Sequence, residues 1–196
     1  MGRLNKNTVE EMLRTKRLQL SRRQLITHYW VVILFSFVFL LPFLMEAWEA
    51  IFADASGRGS PWRIGWGSLV FGPISIFFFF WQRRALRFRE FRGTFPEEAF
   101  QRAVQRTAAQ LGWVIDHNGP SAFRAHRTMF FVSRRHGEMI TILRPDNGLL
   151  MNSICDPDLW SAVTAYGWNR RNVNVFIANL NKACNGGSSM TDDPVI

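Results

Sequence analysis

The sequence predicts an α+β protein: a two-helix transmembrane hairpin followed by a small antiparallel-sheet domain ordered helix, three or four strands, helix. Three observations predict it. Residues 24–45 and 64–82 contain no Asp, Glu, Lys or Arg. Basic residues crowd the segments on the outer sides of that pair. Beyond residue 94 the pattern changes to an amphipathic helix, several short apolar runs divided by turn signals, and a second amphipathic helix.

The first element is an N-terminal helix. Thr8-Val-Glu-Glu11 has the form of a capping box, with Thr8 as N-cap and Glu11 three residues on, so a helix is expected from Thr8 toward Arg23. Val9, Met12, Leu13, Leu18 and Leu20 form a partial apolar stripe, while Arg14, Lys16, Arg17, Arg22 and Arg23 supply charge. Residues 1–23 therefore read as a basic interfacial helix resting on anionic phospholipids.

The charge-free run 24–45 would span roughly 33 Å as a helix, and the run 64–82 roughly 28 Å, each close to the thickness of a hydrocarbon core. Tyr29, Trp30, Trp62, Trp66 and Trp81 lie near the ends, where amphipathic rings favour the interface. A cleaved signal peptide would place its apolar run nearer the start, without 23 polar and charged residues ahead of it and a second span behind. No ionisable residue other than His28 at one edge lies within either run, which argues against an ion or proton pathway.

Charge sets the orientation. The chain has 24 Lys+Arg against 15 Asp+Glu, a net +9, which excludes an acidic scaffold and raises nucleic acid, anionic lipid or an acidic protein surface as partners. Residues 1–27 carry +5 and residues 83–94 carry +4, whereas the loop 46–63 is −1. The excess thus sits beside the apolar runs, where the positive-inside rule explains it without nucleic acid. Both termini are expected in the cytoplasm of a bacterial cell, with the protein multi-pass in the inner membrane. Cys155 and Cys184 are too few for a disulfide framework, and a hydrophobic content of 47% excludes a largely disordered chain.

Within the second run, Gly65, Ser68, Gly72 and Ser75 recur at spacings of 3, 4 and 3 on one helical stripe, where another backbone can approach closely. The occupant is either the first helix of the same hairpin or a second copy of the chain. Residues 83–94 then read as a basic linker.

The cytoplasmic domain is placed at 95–182. Thr94-Phe-Pro-Glu97 is a second capping-box pattern, and Phe100, Ala103, Val104, Thr107, Ala108 and Leu111 mark one face of the helix that Gly112 ends. The runs 113–117, 122–127, 129–133, 138–143 and 149–154 are β-like and are expected to give three or four antiparallel strands, with a hairpin turn at Pro145-Asp-Asn-Gly148. Asn169 is expected to cap a last helix carrying Val173, Phe176, Ile177 and Leu180. The tail 183–196, with its Gly-Gly-Ser-Ser run, is expected to be disordered.

Leu111-Gly112-Trp113, Gly137-Glu138 leading into Ile140-Thr-Ile142, Ser153 after the last strand, Gly167-Trp-Asn169 and Asn172 occur in that order. This arrangement resembles small uncharacterised bacterial domains attached to membrane hairpins, which carry Gly-Lys-Asn where this chain has Gly167-Trp168-Asn169. The resemblance covers the C-terminal half and implies a fold, not an activity.

Chemistry is sparse. His28, His117, His126 and His136 lack metal-ligand spacing, and neither a CxxC, an HExxH nor a nucleotide loop is present. No catalytic, cofactor-binding or metal-binding residue is assigned, and no cofactor is implied. Ser153, Cys155 and Asp156 are close in sequence, but no base or oxyanion donor can be placed beside them. Asn169, Arg170, Arg171 and Asn172, at the start of the last helix, form a candidate anion site of free backbone N–H groups and guanidiniums. The expected function is a membrane-anchored, non-catalytic protein whose domain binds a protein partner or an anionic ligand, or self-associates. The alternatives are an enzyme acting at the membrane surface and an accessory or immunity subunit of a membrane complex.

Overall fold

A computed structural model describes residues 5–52, 66–128, 137–159 and 167–185. They belong to two compact units, one of residues 25–85 and one of residues 1–24 together with 86–196.

In the first unit, α3 (Trp30–Phe52) follows the short helix α2 (Arg22–His28) and packs against α4 (Trp66–Ala85). The Tyr29 N–H donates to Leu25 O and the Ile33 N–H to Tyr29 O, so i→i−4 bonding continues past the irregularity at Tyr29. The pairs Phe39/Gly72, Ser36/Ser75, Phe35/Phe78 and His28/Gln82 ascend one helix as they descend the other, so the two run antiparallel. The contact is close because Gly72 has no side chain: a Cβ there would lie 3.0 Å from Phe39 Cε2. Ser36 and Ser75 share a hydrogen bond of 2.6 Å, and Ser75 also donates to Val32 O.

The expected boundary 24–45 moves along the chain, because residues 22–28 form their own helix and Glu46 and Glu49 do not interrupt the backbone bonding that carries α3 to Phe52. Among the described residues, one helical stretch, Trp30–Trp48, is long and apolar enough to cross a membrane. The expected second span is helical, but Gly67, Ser68, Gly72 and Ser75 dilute its apolar content and Gln82, Arg83 and Arg84 close it. The expectation of two clear spans is thereby reduced to one, and the remainder of the outer loop, 53–63, lies outside the described residues.

The second unit is an α+β fold on one antiparallel sheet of five strands, in the order β1-β5-β4-β3-β2. The strands are β1 (Arg89–Arg92), β2 (Val114–Asn118), β3 (Ala122–Thr128), β4 (Gly137–Leu143) and β5 (Gly148–Cys155), with α5 (Glu97–Leu111) and α6 (Trp168–Asn185). Three or four strands were expected; the additional one is β1, inside the segment read as a linker. Its sequence Arg-Glu-Phe-Arg holds a single apolar residue, too little to announce a strand, and it forms by pairing with the edge of β5 in the register Arg89↔Met151, Phe91↔Leu149. Gly148 permits this turn: its φ is +152, and a Cβ would stand 2.3 Å from Phe91 O. The expected strand over 129–133 lies outside the described residues.

Alternation along the strands sends Phe123, Ala125, Ile140, Ile142, Leu149 and Met151 to one face, where Phe100, Val104, Phe176 and Leu180 of α5 and α6 complete the core. The other face carries Met139, Thr141, Leu143, Leu150, Asn152 and Ile154, all buried. On this face Asn152 Nδ2 donates to Arg87 O at 2.9 Å, and Val9, Met12, Leu18, Leu86 and Phe88 of the same unit are buried as well.

This corrects the interfacial-helix expectation. The N-terminal helix α1 spans Lys6–Thr15 behind Asn5, so Thr8 is inside it and caps nothing, and it ends at Lys16 with φ 53. Arg17 then forms an antiparallel bridge with Arg87, flanked by bonds from the Leu18 N–H to Leu86 O and from the Phe88 N–H to Lys16 O. Residues 1–24 are thus part of the domain, whose expected limits of 95 and 182 are both exceeded. At the far end α6 continues to Asn185 with Ala183 buried, so the expected disordered tail shrinks to 186–196, outside the described residues. Thr94 likewise caps nothing: α5 starts at Glu97 behind Pro96.

Candidate functional site

Strand alternation should bring apolar side chains to the helix face of β5, yet the position after Leu149 and Met151 is Ser153. Its Oγ donates to Asn169 Oδ1 at 3.1 Å and accepts from Asn172 Nδ2 at 3.0 Å. Asn172 Oδ1 in turn accepts the Trp113 indole N–H at 3.1 Å. Trp113 follows the Gly112 C-cap of α5, and Asn169 and Asn172 lie on the first turns of α6, so this run of bonds links the end of α5, α6 and β5. Asn172 is fully buried. The chain is a satisfied polar network inside an apolar core, of the kind that fixes one arrangement of elements.

Beside it, Arg127 of β3 faces Glu138 of β4 in register, with Nη1 3.3 Å from Oε2. The Arg127 guanidinium lies 3.7 Å from the centre of the Trp168 ring, and that of Arg171 lies 4.5 Å from it. Such contacts contribute about 0.5–1 kcal/mol each at partly exposed sites. Burial pushes the Glu138 carboxyl above its ordinary value, with Arg127 opposing the shift. Cys155, paired with Glu138 across the strands, is pushed up to about 11, by burial first and then by the neighbouring carboxylate.

On the opposite face, Arg124, Thr141 and Asn152 stand in one cross-strand row, all buried. Burial lowers the Arg124 guanidinium's affinity for its proton, while Asp116, Asp158 and Asp156 counter it. His126 Nδ1 is 2.8 Å from Asp116 Oδ1, and Asp156 accepts the Asp158 N–H at 2.9 Å. Burial raises the Asp156 carboxyl. Gln24 Nε2 donates to Asp158 Oδ2 at 3.1 Å, joining the end of the N-terminal segment to this cluster.

The structure divides the residues predicted to bind an anion. Asn169 and Asn172 turn inward to Ser153, Arg171 lies on Trp168, and Arg170 is exposed. Asn169 also does not cap the helix, which already begins at Trp168. These four side chains therefore form no common anion surface. Of the small-residue stripe, Gly72 and Ser75 lie against α3, while Gly65 and the side chain of Ser68 are outside the described residues.

Chemically, the Ser153 hydroxyl is held between two amides with no general base in the network, and a Cys155 thiol near 11 stays protonated at neutral pH. Among the described residues, no group of three His, Cys, Asp or Glu side chains could hold a metal ion. Arg127 and Glu138 as a pair are absent from the sequence expectations; the available signal is that each continues the alternate-residue row of Phe123 and Ala125 or of Ile140 and Ile142. Compared with protein-family models, curated proteins and solved structures, the chain matches none of them.

Proposed function

We propose that this chain is a membrane-anchored binding protein: the α3/α4 pair inserts as a hairpin in a bacterial inner membrane and holds the α+β domain at the cytoplasmic surface, where it engages a protein partner or an anionic ligand without catalysis. The observation that supports this reading is the inverted packing of the two helices. Their mutual contact sets Phe39 over Gly72, Ser36 on Ser75 and Phe35 against Phe71 and Phe78, whereas Leu34, Phe37, Leu40, Leu44, Ile76, Phe77 and Phe80 are exposed. A water-soluble helix pair would bury those side chains; in lipid, small residues such as Gly72 and Ser75 let the helices approach and apolar side chains face outward. The basic residues next to the helices favour the cytoplasmic placement of both termini.

A protein partner is favoured by the open edge of the sheet. Among the described residues β2 is an edge strand, with Val114 and Ile115 exposed on it, and an exposed strand edge is a surface by which strands add to a sheet.

The anchor is tested by expressing the full chain in bacteria, extracting membranes with alkaline carbonate, and comparing alkaline phosphatase fusions at the C-terminus and within 53–63. The reading requires retention in the membrane pellet, an inactive C-terminal fusion and an active loop fusion. Release into the carbonate supernatant, or an active C-terminal fusion, overturns it.

A further inference from the structure

We infer that Arg17 and Arg87 form a clamp for the phosphate diester of an anionic phospholipid headgroup. The two residues are 70 positions apart in sequence and become direct neighbours in the antiparallel bridge that follows α1. The flanking bonds, Leu18 N–H to Leu86 O and Phe88 N–H to Lys16 O, make Arg17/Arg87 a non-hydrogen-bonded pair, the arrangement in which opposed side chains come closest. Alternation turns Leu18, Leu86 and Phe88 to the buried side, so both arginines project from the other side, joined there by Arg89 two residues along. Arg87 and Arg89 are exposed, and Arg17 is half-buried.

Like charges directly opposed on neighbouring strands are destabilising. Here nothing in the described protein offsets them. The nearest acid in sequence, Glu90, is taken by Lys16 at 2.7 Å, and Glu11 pairs with Arg14. Neither Arg17 nor Arg87 has an acidic partner among the described residues. A repulsive pair held by a fixed backbone bridge is a preformed site for an external anion. Guanidiniums carried on two directly opposed backbone positions suit the paired oxygens of a phosphate, each able to donate two parallel N–H bonds. Chain connectivity selects the source: Arg87 comes two residues after the end of α4, and Arg17 five residues before α2, so both are tethered next to the proposed anchor. This inference rests on the anchor reading of the preceding section.

The test uses the full chain in dodecyl maltoside micelles, whose headgroup has no phosphate, with and without added phosphatidylglycerol, and follows thermal unfolding of the domain by tryptophan fluorescence. A second arm adds inorganic phosphate to the lipid-free micelles. The variants are Arg17→Gln, Arg87→Gln and both together, with Arg106→Gln on the solvent side of α5 as control. The clamp predicts that phosphatidylglycerol raises the unfolding temperature of the wild type, that each single substitution removes most of that rise, and that the double removes no more. In lipid-free micelles each single substitution should instead raise the unfolding temperature, because repulsion is relieved; this reversal of sign is the signature a merely structural arginine would not give. A phosphatidylglycerol effect that persists in both single variants overturns the clamp, as does a loss equal to that of Arg106→Gln. An equal rise with inorganic phosphate alone overturns the lipid assignment. Carbonate extraction of the wild type separates the two readings: a chain that stays in the pellet but lacks the sign reversal sinks the clamp and leaves the anchor standing.

Discussion

Asn172, fully buried on the second turn of α6, accepts the indole N–H of Trp113 at 3.1 Å while its own amide donates to Ser153. One side chain thereby joins α6 to the end of α5 and to β5. Replacing it with Leu leaves a buried indole N–H without its acceptor, at a cost of about 1–3 kcal/mol. Urea unfolding of Asn172→Leu should show that loss. Trp113→Phe should then cost less in the Asn172→Leu background than in the wild type, and additive effects would show that the two do not act together.

The Glu138 carboxyl is raised above its ordinary 4.5 by burial. A folded carboxyl with a raised pKa binds its proton more tightly than the unfolded one, so its contribution to stability is full below about 4.5 and is lost as pH rises through the folded value. The stability of the wild type relative to Glu138→Gln should therefore fall between acidic and neutral pH. A flat difference across urea titrations over that range would refute the assignment.

Ser36 and Ser75 have their hydroxyl oxygens 2.6 Å apart. With both changed to Cys, mild oxidation in membranes should give an intramolecular disulfide, seen as a mobility shift on a monomer, and no crosslinked dimer. A dimer band in place of the shift would assign this stripe to contact between copies.

Gly72 admits Phe39 because a Cβ would sit only 3.0 Å from its ring. In the double-cysteine chain, Gly72→Leu should force α3 and α4 apart and reduce the disulfide yield several-fold, while Gly72→Ala, which Phe39 can accommodate by a shift of a few tenths of an ångström, should retain most of it.

Gly148 holds φ +152 with Phe91 O at 2.3 Å from the position a Cβ would take. Gly148→Ala must displace backbone and not a flexible side chain, so it should open the β1/β5 pairing and destabilise the domain by about 1–3 kcal/mol. Hydrogen exchange should show the loss concentrated in residues 89–92, the range of β1.

Elements whose signal is local are legible in the amino-acid order. The apolar stripe from Phe100 to Leu111 and the Gly112 stop define α5, the Pro145-to-Gly148 turn separates β4 from β5, and the charge-free runs mark the two long helices. These depend on periodicity and turn chemistry within some twenty residues, which one strand of text carries in full. Asn169 and Asn172 were likewise visible as unusual, but the same amides suit an outward anion site and an inward bond to Ser153, and only the position of β5 beneath them decides which.

Tertiary structure alone decided what depends on pairing across the chain. Arg89–Arg92 is a strand because β5 offers an edge, not because of its own residues. The basic N-terminal segment belongs to the domain because Val9, Met12 and Leu18 are buried there and residues 16–18 bond through their backbone to residues 86–88. That docking places Arg17 against Arg87. The charges of both were plain from the start; their adjacency exists only once the backbone has folded, because a bridge between residues 70 positions apart leaves no local mark in the sequence.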